Sequence, residues 1–199
     1  MTSESSLQEA SPANGAPHKS NTIRRHPAGF LSTTNILRAL LALCTAAFLA
    51  VIVASLRDTS PKEGSTAPAF SITTDSGRQV SVNSFGGKVL VLNFWATWCA
   101  PCIEEIPSLN AMQQRFAKSG VVVVAISIDK NSRKYHAFLD RIHVSFDTAR
   151  DPSAGISERY GTFQYPETYI IKDGKIMRKF PNAENWTSDD LTQYIQSLL

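Results

Sequence analysis

An uncharged apolar segment near the N-terminus limits most strongly what this chain of 199 residues can fold into. Between Arg38 and Arg57, the eighteen residues Ala39–Leu56 carry no charged side chain. An apolar run of about 18–20 residues is long enough to span a membrane as a helix. A core helix of a soluble domain would show a polar stripe, whereas this segment is apolar all round. It therefore predicts one transmembrane anchor, over residues 36–56.

The tail before this segment, residues 1–35, is rich in Ser, Thr, Ala and Pro, and we expect it to be disordered. A cleaved signal peptide has its charged region and apolar core at the very N-terminus, whereas ~35 residues precede this segment. We therefore expect an uncleaved anchor, and the alternative is late cleavage near Ala54. Cys44 follows Leu43, where a lipoprotein cysteine requires a small residue, so Cys44 is expected to face lipid or a partner helix.

Basic residues are more numerous before the apolar segment than just after it. Those before it are Lys19, Arg24, Arg25 and Arg38, and those that follow it closely are Arg57 and Lys62. Basic residues that flank a membrane helix stay on the cytoplasmic side. The pattern predicts a single-pass membrane protein, with a cytoplasmic N-terminus and with residues 61–199 outside the cytoplasm. Disulfides form and persist in such an oxidising compartment.

The rest of the chain has room for a linker, over residues 57–67, and one folded domain, over residues 68–199. Hydrophobic residues make up 43% of the chain, and three cysteines are too few for a disulfide scaffold, so an ordinary hydrophobic core has to hold this domain. The net charge is only +3, and no cluster of Lys and Arg alternates with aromatic residues. A nucleic-acid partner is therefore not expected.

The folded domain shows strand patterns and helix patterns in alternation. In chain order, the sequence predicts a hairpin over 70–82, a buried strand over 88–97, a helix over 106–120, a buried strand over 121–129, helices over 132–143 and 153–162, a hairpin over 168–180, and a last helix capped by Thr187 and Ser188 and running to Leu198. The near-continuous apolar runs are typical of central strands buried on both faces. A strand–helix–strand unit followed by a hairpin and a helix describes an α/β sandwich.

Two of the three cysteines form a Cys-x-x-Cys motif in residues 94–107, FWATWCAPCIEEIP. Zinc usually needs four ligands, and only His136 and His143 remain downstream. Covalent haem attachment needs a histidine directly after the second cysteine, where this chain has Ile103. We therefore expect a redox pair, with no metal and no cofactor.

The residues around the two cysteines favour thiol–disulfide chemistry. A buried strand ends near Thr97 and a helix begins at the cysteines, which places Cys99 at the helix N-terminus. Unpaired N–H groups and the helix dipole stabilise a thiolate there, and the thiolate is the form that attacks a disulfide. Cys102, one turn further on, is close enough to form the internal disulfide and release the reduced substrate. Pro101 is tolerated because N–H groups of the first turn have no helical partner to lose.

The sequence WCAPC after an apolar strand resembles the thioredoxin superfamily, and the membrane segment together with FWATWCAPCIEEIPSL is similar to its TlpA/ResA/CcmG group. The resemblance covers about residues 65–199, and GTFQYPETYIIKDGKI is a second matching motif. It implies a thioredoxin-like three-layer sandwich with an N-terminal β-hairpin extension. It also implies a cis bond before Pro166, which would lie against the cysteines, and a backbone at Tyr165 that holds a substrate strand. Trp98 suits a flat docking surface.

The resemblance also bears on three glutamates. It implies that Glu105, which shares the helix face of Cys102, is an acid/base near the cysteines. A first-turn carboxylate can also merely complement the helix dipole, and this is the expectation for Glu104. Glu167 is expected in the substrate-binding region beside Pro166, and whether its negative field raises the thiol pKa is left open.

The hypothesis is a membrane-anchored reductase that acts through Cys99 and Cys102 outside the cytoplasm. The resemblance implies a bacterial cytoplasmic membrane and a periplasmic catalytic domain. The resemblance implies as clients an apocytochrome c or the cysteines of a copper site, and as electron source a membrane donor of the CcdA/DsbD type. A disulfide-forming oxidant of the DsbA kind is the weaker alternative, since the sequence has room for only two short helices where that class usually carries a helical insertion. A non-catalytic adaptor would fit better if either cysteine were missing, and both are present.

Overall fold

The structure, a computed structural model, describes residues 33–55 and 60–199. Most of the predicted tail over residues 1–35, and the first residues of the predicted linker, lie outside this part of the chain. The chain separates into two compact units, one that ends at Ser55 and one that begins at Leu56. The predicted domain boundaries stay predictions.

The first unit contains one long helix, α1 (Thr33–Ser55). Its residues 33–54 are exposed, and Thr33–Ala54 has a mean hydropathy of 2.5, long and apolar enough to cross a membrane. The Thr45 hydroxyl donates a hydrogen bond of 2.9 Å to the carbonyl of Ala42, so this polar group is satisfied within the helix. These properties are consistent with a membrane anchor, and a signal sequence would share them.

The second unit contains seven strands and four helices in the described residues. The strands are β1 (Ser71–Thr73), β2 (Gln79–Ser81), β3 (Val89–Trp95), β4 (Val121–Ser127), β5 (Asp147–Arg150), β6 (Glu167–Lys172) and β7 (Lys175–Phe180). The helices are α2 (Ala100–Phe116), α3 (Ser132–Leu139), α4 (Gly155–Arg159) and α5 (Asp189–Ser197). Their order confirms the predicted hairpins, buried strands and helices.

The structure differs from the local predictions at four places. The helix predicted over 153–162 spans only Gly155–Arg159. The helix predicted over 132–143 ends at Leu139, and the strand β5 was not predicted because its four residues, DTAR, lack an apolar run and pair only with β4. Ser188 is the N-cap residue of α5, but its side chain makes no capping hydrogen bond. Thr187, the other predicted capping residue, instead donates its hydroxyl hydrogen to Asn185 Oδ1 at 2.7 Å.

The main sheet is mixed, with strand order β5-β4-β3-β6-β7. β3 lies at its centre, parallel to β4 and antiparallel to β6, and all seven of its residues are buried. Alternate residues of β3 face opposite layers. Val89 and Val91 pack with α2 and α5, whereas Leu90, Leu92 and Phe94 pack with the β1–β2 hairpin and α4. The sheet is thus the middle layer of the predicted sandwich.

The N-terminal hairpin is tied to the opposite layer through Asp75, which lies in its turn. Oδ2 of Asp75 accepts hydrogen bonds from the Tyr135 hydroxyl at 2.6 Å and from the Thr148 hydroxyl at 2.7 Å. Part of the predicted linker also contacts the domain. Its residues 64–67 run beside the edge strand β7, where the Gly64 N–H donates to the Ile176 carbonyl at 2.7 Å. This pairing covers an otherwise open sheet edge.

Candidate active site

The two cysteines lie where β3 ends and α2 begins. Cys99 is the N-cap residue of α2, and it is joined to Cys102 by a disulfide with a Cα–Cα distance of 5.3 Å. Cys99 is 5% exposed and Cys102 is 1% exposed, so Cys99 is the outer of the two. The backbone N–H of Cys102 donates to Cys99 Sγ at 3.3 Å. In the reduced state, this N–H and the helix N-terminus stabilise a thiolate on Cys99.

The turn between β3 and α2 is held by Asp129, which follows β4. The Asp129 carboxylate accepts hydrogen bonds from the backbone N–H of Thr97 at 2.8 Å, from the Thr97 hydroxyl at 2.7 Å and from the Ser127 hydroxyl at 2.6 Å. Because β3 and β4 are parallel and in register, both end at the same edge of the sheet. Sequence reasoning missed this role, although an acidic residue at the end of the predicted strand over 121–129 was a readable signal.

Glu105 points into the domain and is 3% exposed. Its carboxylate accepts hydrogen bonds from Asn93 Nδ2 at 2.7 Å, from Trp186 Nε1 at 3.2 Å and from the backbone N–H of Glu184 at 3.3 Å. Burial raises the pKa of Glu105 from 4.5 to about 7, and these donors only partly oppose the shift. The charge of Glu184 raises the pKa of Glu105 slightly further. At neutral pH this carboxyl therefore exists in both protonation states.

Two of the residues that hold Glu105 were missed by the sequence analysis. Asn93 lies in the middle of β3 and is paired in register with Thr168, whose hydroxyl accepts a hydrogen bond of 2.8 Å from Asn93 Nδ2. An asparagine inside the apolar run KVLVLNFW was the signal for it. Trp186 is 81 residues away from Glu105, and nothing in the sequence pairs the two. Glu104 is exposed on α2, but it is the fifth residue of that helix, and the first turn contains no acidic residue, so the expected first-turn dipole role was wrong.

The second motif also reaches the cysteines. The Tyr165–Pro166 peptide bond is cis, as predicted, and Pro166 is buried. The ring of Tyr165 packs against the buried cluster that contains both cysteines. It also meets the Trp98 ring edge to face, with 6.3 Å between the ring centroids. Trp98 is 67% exposed. The structure therefore brings the predicted docking residues Trp98 and Tyr165 together beside the disulfide.

Glu167 lies on the opposite face of the sheet from Glu105. It is paired with Phe94, the β3 neighbour of Asn93, and it is almost completely buried. Its carboxylate accepts a hydrogen bond from the Thr162 hydroxyl at 2.6 Å and lies 3.3 Å from Lys179 Nζ. The positive charge of Lys179 compensates the negative charge of Glu167. The electric field of Glu167 at the cysteines is therefore weakened. Glu167 is placed to hold the loop before Pro166, and its role toward a substrate stays a prediction.

A metal-binding role for the site would need several ligating side chains close together. Within residues 33–55 and 60–199, no group of three or more His, Cys, Asp or Glu side chains is placed to hold a metal ion. What the described site offers is an outer sulfur, an inner sulfur one turn away, and a buried carboxyl on the same helix. This arrangement suits exchange between a dithiol and a disulfide.

Several known proteins are similar to this chain in sequence or in fold. Residues 64–180 match the family model described as the AhpC/TSA family. The thiol-disulfide oxidoreductase ResA of Bacillus thuringiensis subsp. konkukian is 30% identical over 136 residues, which are 68% of this chain and 78% of that protein. The thioredoxin-like protein YneN of Bacillus subtilis is 36% identical over 126 residues, which are 62% of this chain and 74% of that protein.

A solved structure supports the same assignment. A protein of Chlorobium tepidum described as the thiol:disulfide interchange protein DsbE superposes with a TM-score of 0.65 and 29% sequence identity. The match covers 70% of this chain and 99% of that protein. The fold, the Cys99–Cys102 disulfide and the similar sequences all indicate the same class of protein. The chain therefore belongs to the AhpC/TSA family and is a thioredoxin-like thiol–disulfide oxidoreductase of the ResA/DsbE type.

Proposed function

We propose that this oxidoreductase works as a reductase of client disulfides outside the cytoplasm, anchored to the membrane by α1. The observation that carries the proposal is the buried Glu105, which lies one turn after Cys102 on α2 and whose pKa is raised to about 7. A negative charge at this position disfavours a nearby thiolate and so favours the disulfide form of the chain. A dithiol that is less stable relative to its disulfide gives up its electrons more readily.

The reaction proceeds in two exchanges. The Cys99 thiolate attacks one sulfur of the client disulfide, a bond forms between them, and the client's other sulfur leaves as a thiolate. The Glu105 carboxylate then takes the proton of Cys102, whose sulfur attacks Cys99 and releases the client's second sulfur. Two electrons pass to the client, and its two thiolates receive the proton held by Glu105 and one from solvent. The chain is left with the Cys99–Cys102 disulfide.

The clients that we propose are the Cys-x-x-Cys-His segment of an apocytochrome c or the cysteine pair of a copper site. Both need reduced thiols in a compartment that oxidises them. The oxidised chain must then regain two electrons, and we propose a membrane donor of the CcdA/DsbD type. The resemblance of WCAPC and of the Pro166 motif to the TlpA/ResA/CcmG group supports these partners.

One observation favours the alternative, a disulfide-forming oxidant. The N–H of Cys102 and the N-terminus of α2 stabilise the Cys99 thiolate, which stabilises the reduced chain. The reduction potential measures which effect prevails. We expect a potential nearer to that of thioredoxin, about −270 mV, than to the roughly −120 mV of a strong oxidant.

The test equilibrates the purified full chain, in detergent, with defined ratios of reduced and oxidised dithiothreitol, and it counts free thiols by alkylation. A potential above about −180 mV, in the range of isomerases and oxidants, would overturn the proposed direction. The reduced chain should also reduce a peptide disulfide of the Cys-x-x-Cys-His type, and should reduce insulin only weakly. A chain that reduces both equally well would contradict the proposed client choice.

A further inference from the structure

A groove lies beside the disulfide, on the side of α3. It has a volume of about 390 Å³ and is lined by Thr97, Trp98, Ile128, Asp129, Lys130 and Lys134. Trp98 directly precedes Cys99, so whatever fills this groove contacts the residue next to the outer cysteine. The exposed Trp98 and the partly buried Ile128 provide an apolar surface. An exposed tryptophan of this kind suits recognition of a partner's apolar side chain.

Hydrogen bonds hold the walls of the groove in place. On one side, Thr97 is held by the Asp129 carboxylate through its N–H and its hydroxyl. On the other side, Arg150 Nη1 donates to the backbone carbonyls of Asp129 at 3.2 Å and of Lys130 at 3.3 Å. The groove is therefore formed before a partner binds, which lowers the entropy cost of binding.

The rim of the groove on the α3 side is basic. Lys130 and Lys134 line it, and Arg133 and Arg141 lie nearby in sequence, all four with exposed side chains. In the part of the chain that the structure describes, none of these four forms an ion pair. Asp129 is the acidic residue that lines the groove, but it is 5% exposed and its oxygens bind Thr97 and Ser127. The positive charge of the rim is thus open to a partner.

The opposite side of α2 has the reverse charge. Glu104, Glu105 and Glu184 line a second cavity of about 250 Å³ there. The two sides of α2 would therefore treat a charged partner differently. An acidic segment is attracted to the α3 side, and a basic segment is repelled from it.

We propose that the groove beside Trp98 binds the client segment next to the reacting disulfide, and that it selects a segment with an apolar side chain and neighbouring acidic residues. The inference rests on the proposed function, because it assumes that a client disulfide docks at Cys99. The apolar side chain packs on Trp98 and Ile128. The acidic residues lie against Lys130 and Lys134, and they raise the rate of docking more than they tighten binding.

The experiment measures the rate of disulfide exchange between the reduced full chain in detergent and three peptide disulfides. The peptides share one aromatic residue beside the disulfide and differ only in two neighbouring positions, which are acidic, neutral or basic. We expect the acidic peptide to react about three- to tenfold faster than the neutral one and the basic peptide to react slowest. The differences should vanish at about 1 M salt, where the Debye length falls to ~3 Å.

Charge reversal provides the decisive variant. The pair Lys130→Glu and Lys134→Glu should invert the order of the three peptides. The matched control reverses two other exposed lysines, Lys88→Glu and Lys118→Glu, which lie near the far ends of β3 and α2 from the disulfide. This control has the same change in net charge and should keep the original order.

The outcomes separate this inference from the proposed function. Equal rates for the three peptides, or the same inversion in the control pair, would overturn the groove's selectivity even if the chain reduces all of them. If the peptides stay oxidised at equilibrium, the proposed reductase function is overturned. The rates at which the three peptides approach that equilibrium would still show whether the acidic peptide is preferred. Absence of exchange with every peptide would overturn both.

Discussion

At the scale of single residues, the pKa of the Glu105 carboxyl is set by two opposing effects. Three N–H groups donate to it and favour the charged form, whereas burial favours the protonated form. Burial prevails, because the side chain is almost completely removed from water and its hydrogen-bond partners among the described residues include no cation. The result is a group that can accept or supply a proton near neutral pH, one turn from Cys102.

The first prediction concerns the pH dependence of stability. The folded-state pKa of Glu105, about 7, lies above its ordinary value of 4.5, so the folded chain holds this proton more tightly than the unfolded chain. The corresponding stability is present below about pH 4.5 and is lost as the pH rises to about 7. Relative to Glu105→Gln, the oxidised parent should lose on the order of 2–3 kcal/mol between pH 4.5 and pH 8.

Urea unfolding of the oxidised full chain in detergent, followed by tryptophan fluorescence over this pH range, measures the difference. Glu104→Gln is the matched control, because its carboxyl is exposed on the same helix. Parallel pH profiles for the parent and Glu105→Gln would show that the pKa of Glu105 is not raised in the folded chain, and would contradict its acid/base role.

The second prediction concerns the division of labour between the sulfurs. Cys99 is the more exposed cysteine and accepts the N–H of Cys102, so it is expected to attack the client. Cys102→Ser should accumulate mixed disulfides with clients, because the thiol that resolves them is missing. Non-reducing electrophoresis and mass spectrometry after rapid alkylation detect them. Accumulation in Cys99→Ser instead would show that the nucleophile is Cys102.

At the scale of elements, two glycines in left-handed conformations shape loops at opposite ends of the sheet, Gly174 far from the disulfide and Gly161 before Pro166. Gly174, with φ +72°, follows Asp173, with φ +49°, in the two-residue turn between β6 and β7. Positive φ at both positions is what a type I′ hairpin turn requires. Gly161, with φ +68°, lies in the loop before Pro166, where Ser60 passes close to it.

The third prediction compares these two glycines. A methyl group at position 174 meets nothing within 4 Å, so Gly174→Ala should cost only the backbone strain, about 1 kcal/mol. At position 161, the added Cβ would lie 2.7 Å from Ser60 Cα and 2.9 Å from Ser60 N, so Gly161→Ala should lower the free energy of unfolding by more. Denaturant unfolding of both variants measures this. A smaller loss for Gly161→Ala would mean that Ser60 does not rest against the loop.

At the scale of the whole molecule, one apolar helix and one oxidoreductase domain share the chain. The charge pattern around the apolar segment gives the fourth prediction. A fluorescent protein that matures only in the cytoplasm should stay dark when it is fused after Leu199. The same reporter fused before Met1 should be bright, and it serves as the control for expression. Bright cells from the C-terminal fusion would contradict the proposed orientation and compartment.

The sequence by itself was sufficient for features that depend on local patterns. The uncharged run Ala39–Leu56 predicted a helix, which the structure places over Thr33–Ser55, and the apolar runs predicted β3 and β4 because apolar periodicity reflects burial directly. The position of Cys99 at a helix N-terminus also followed from its neighbours.

Only the tertiary structure decided which distant residues meet. Trp186 and Asn93 reach Glu105 because both lie on the face of the sheet that packs against α2, and the pKa of Glu105 depends on that packing. Lys179 is paired with Glu167 because β7 lies beside β6. This ion pair compensates the negative charge of Glu167, whose effect on the cysteines could not be decided from the sequence. Contacts of this kind depend on how whole elements pack, and a local pattern of residues carries no record of them.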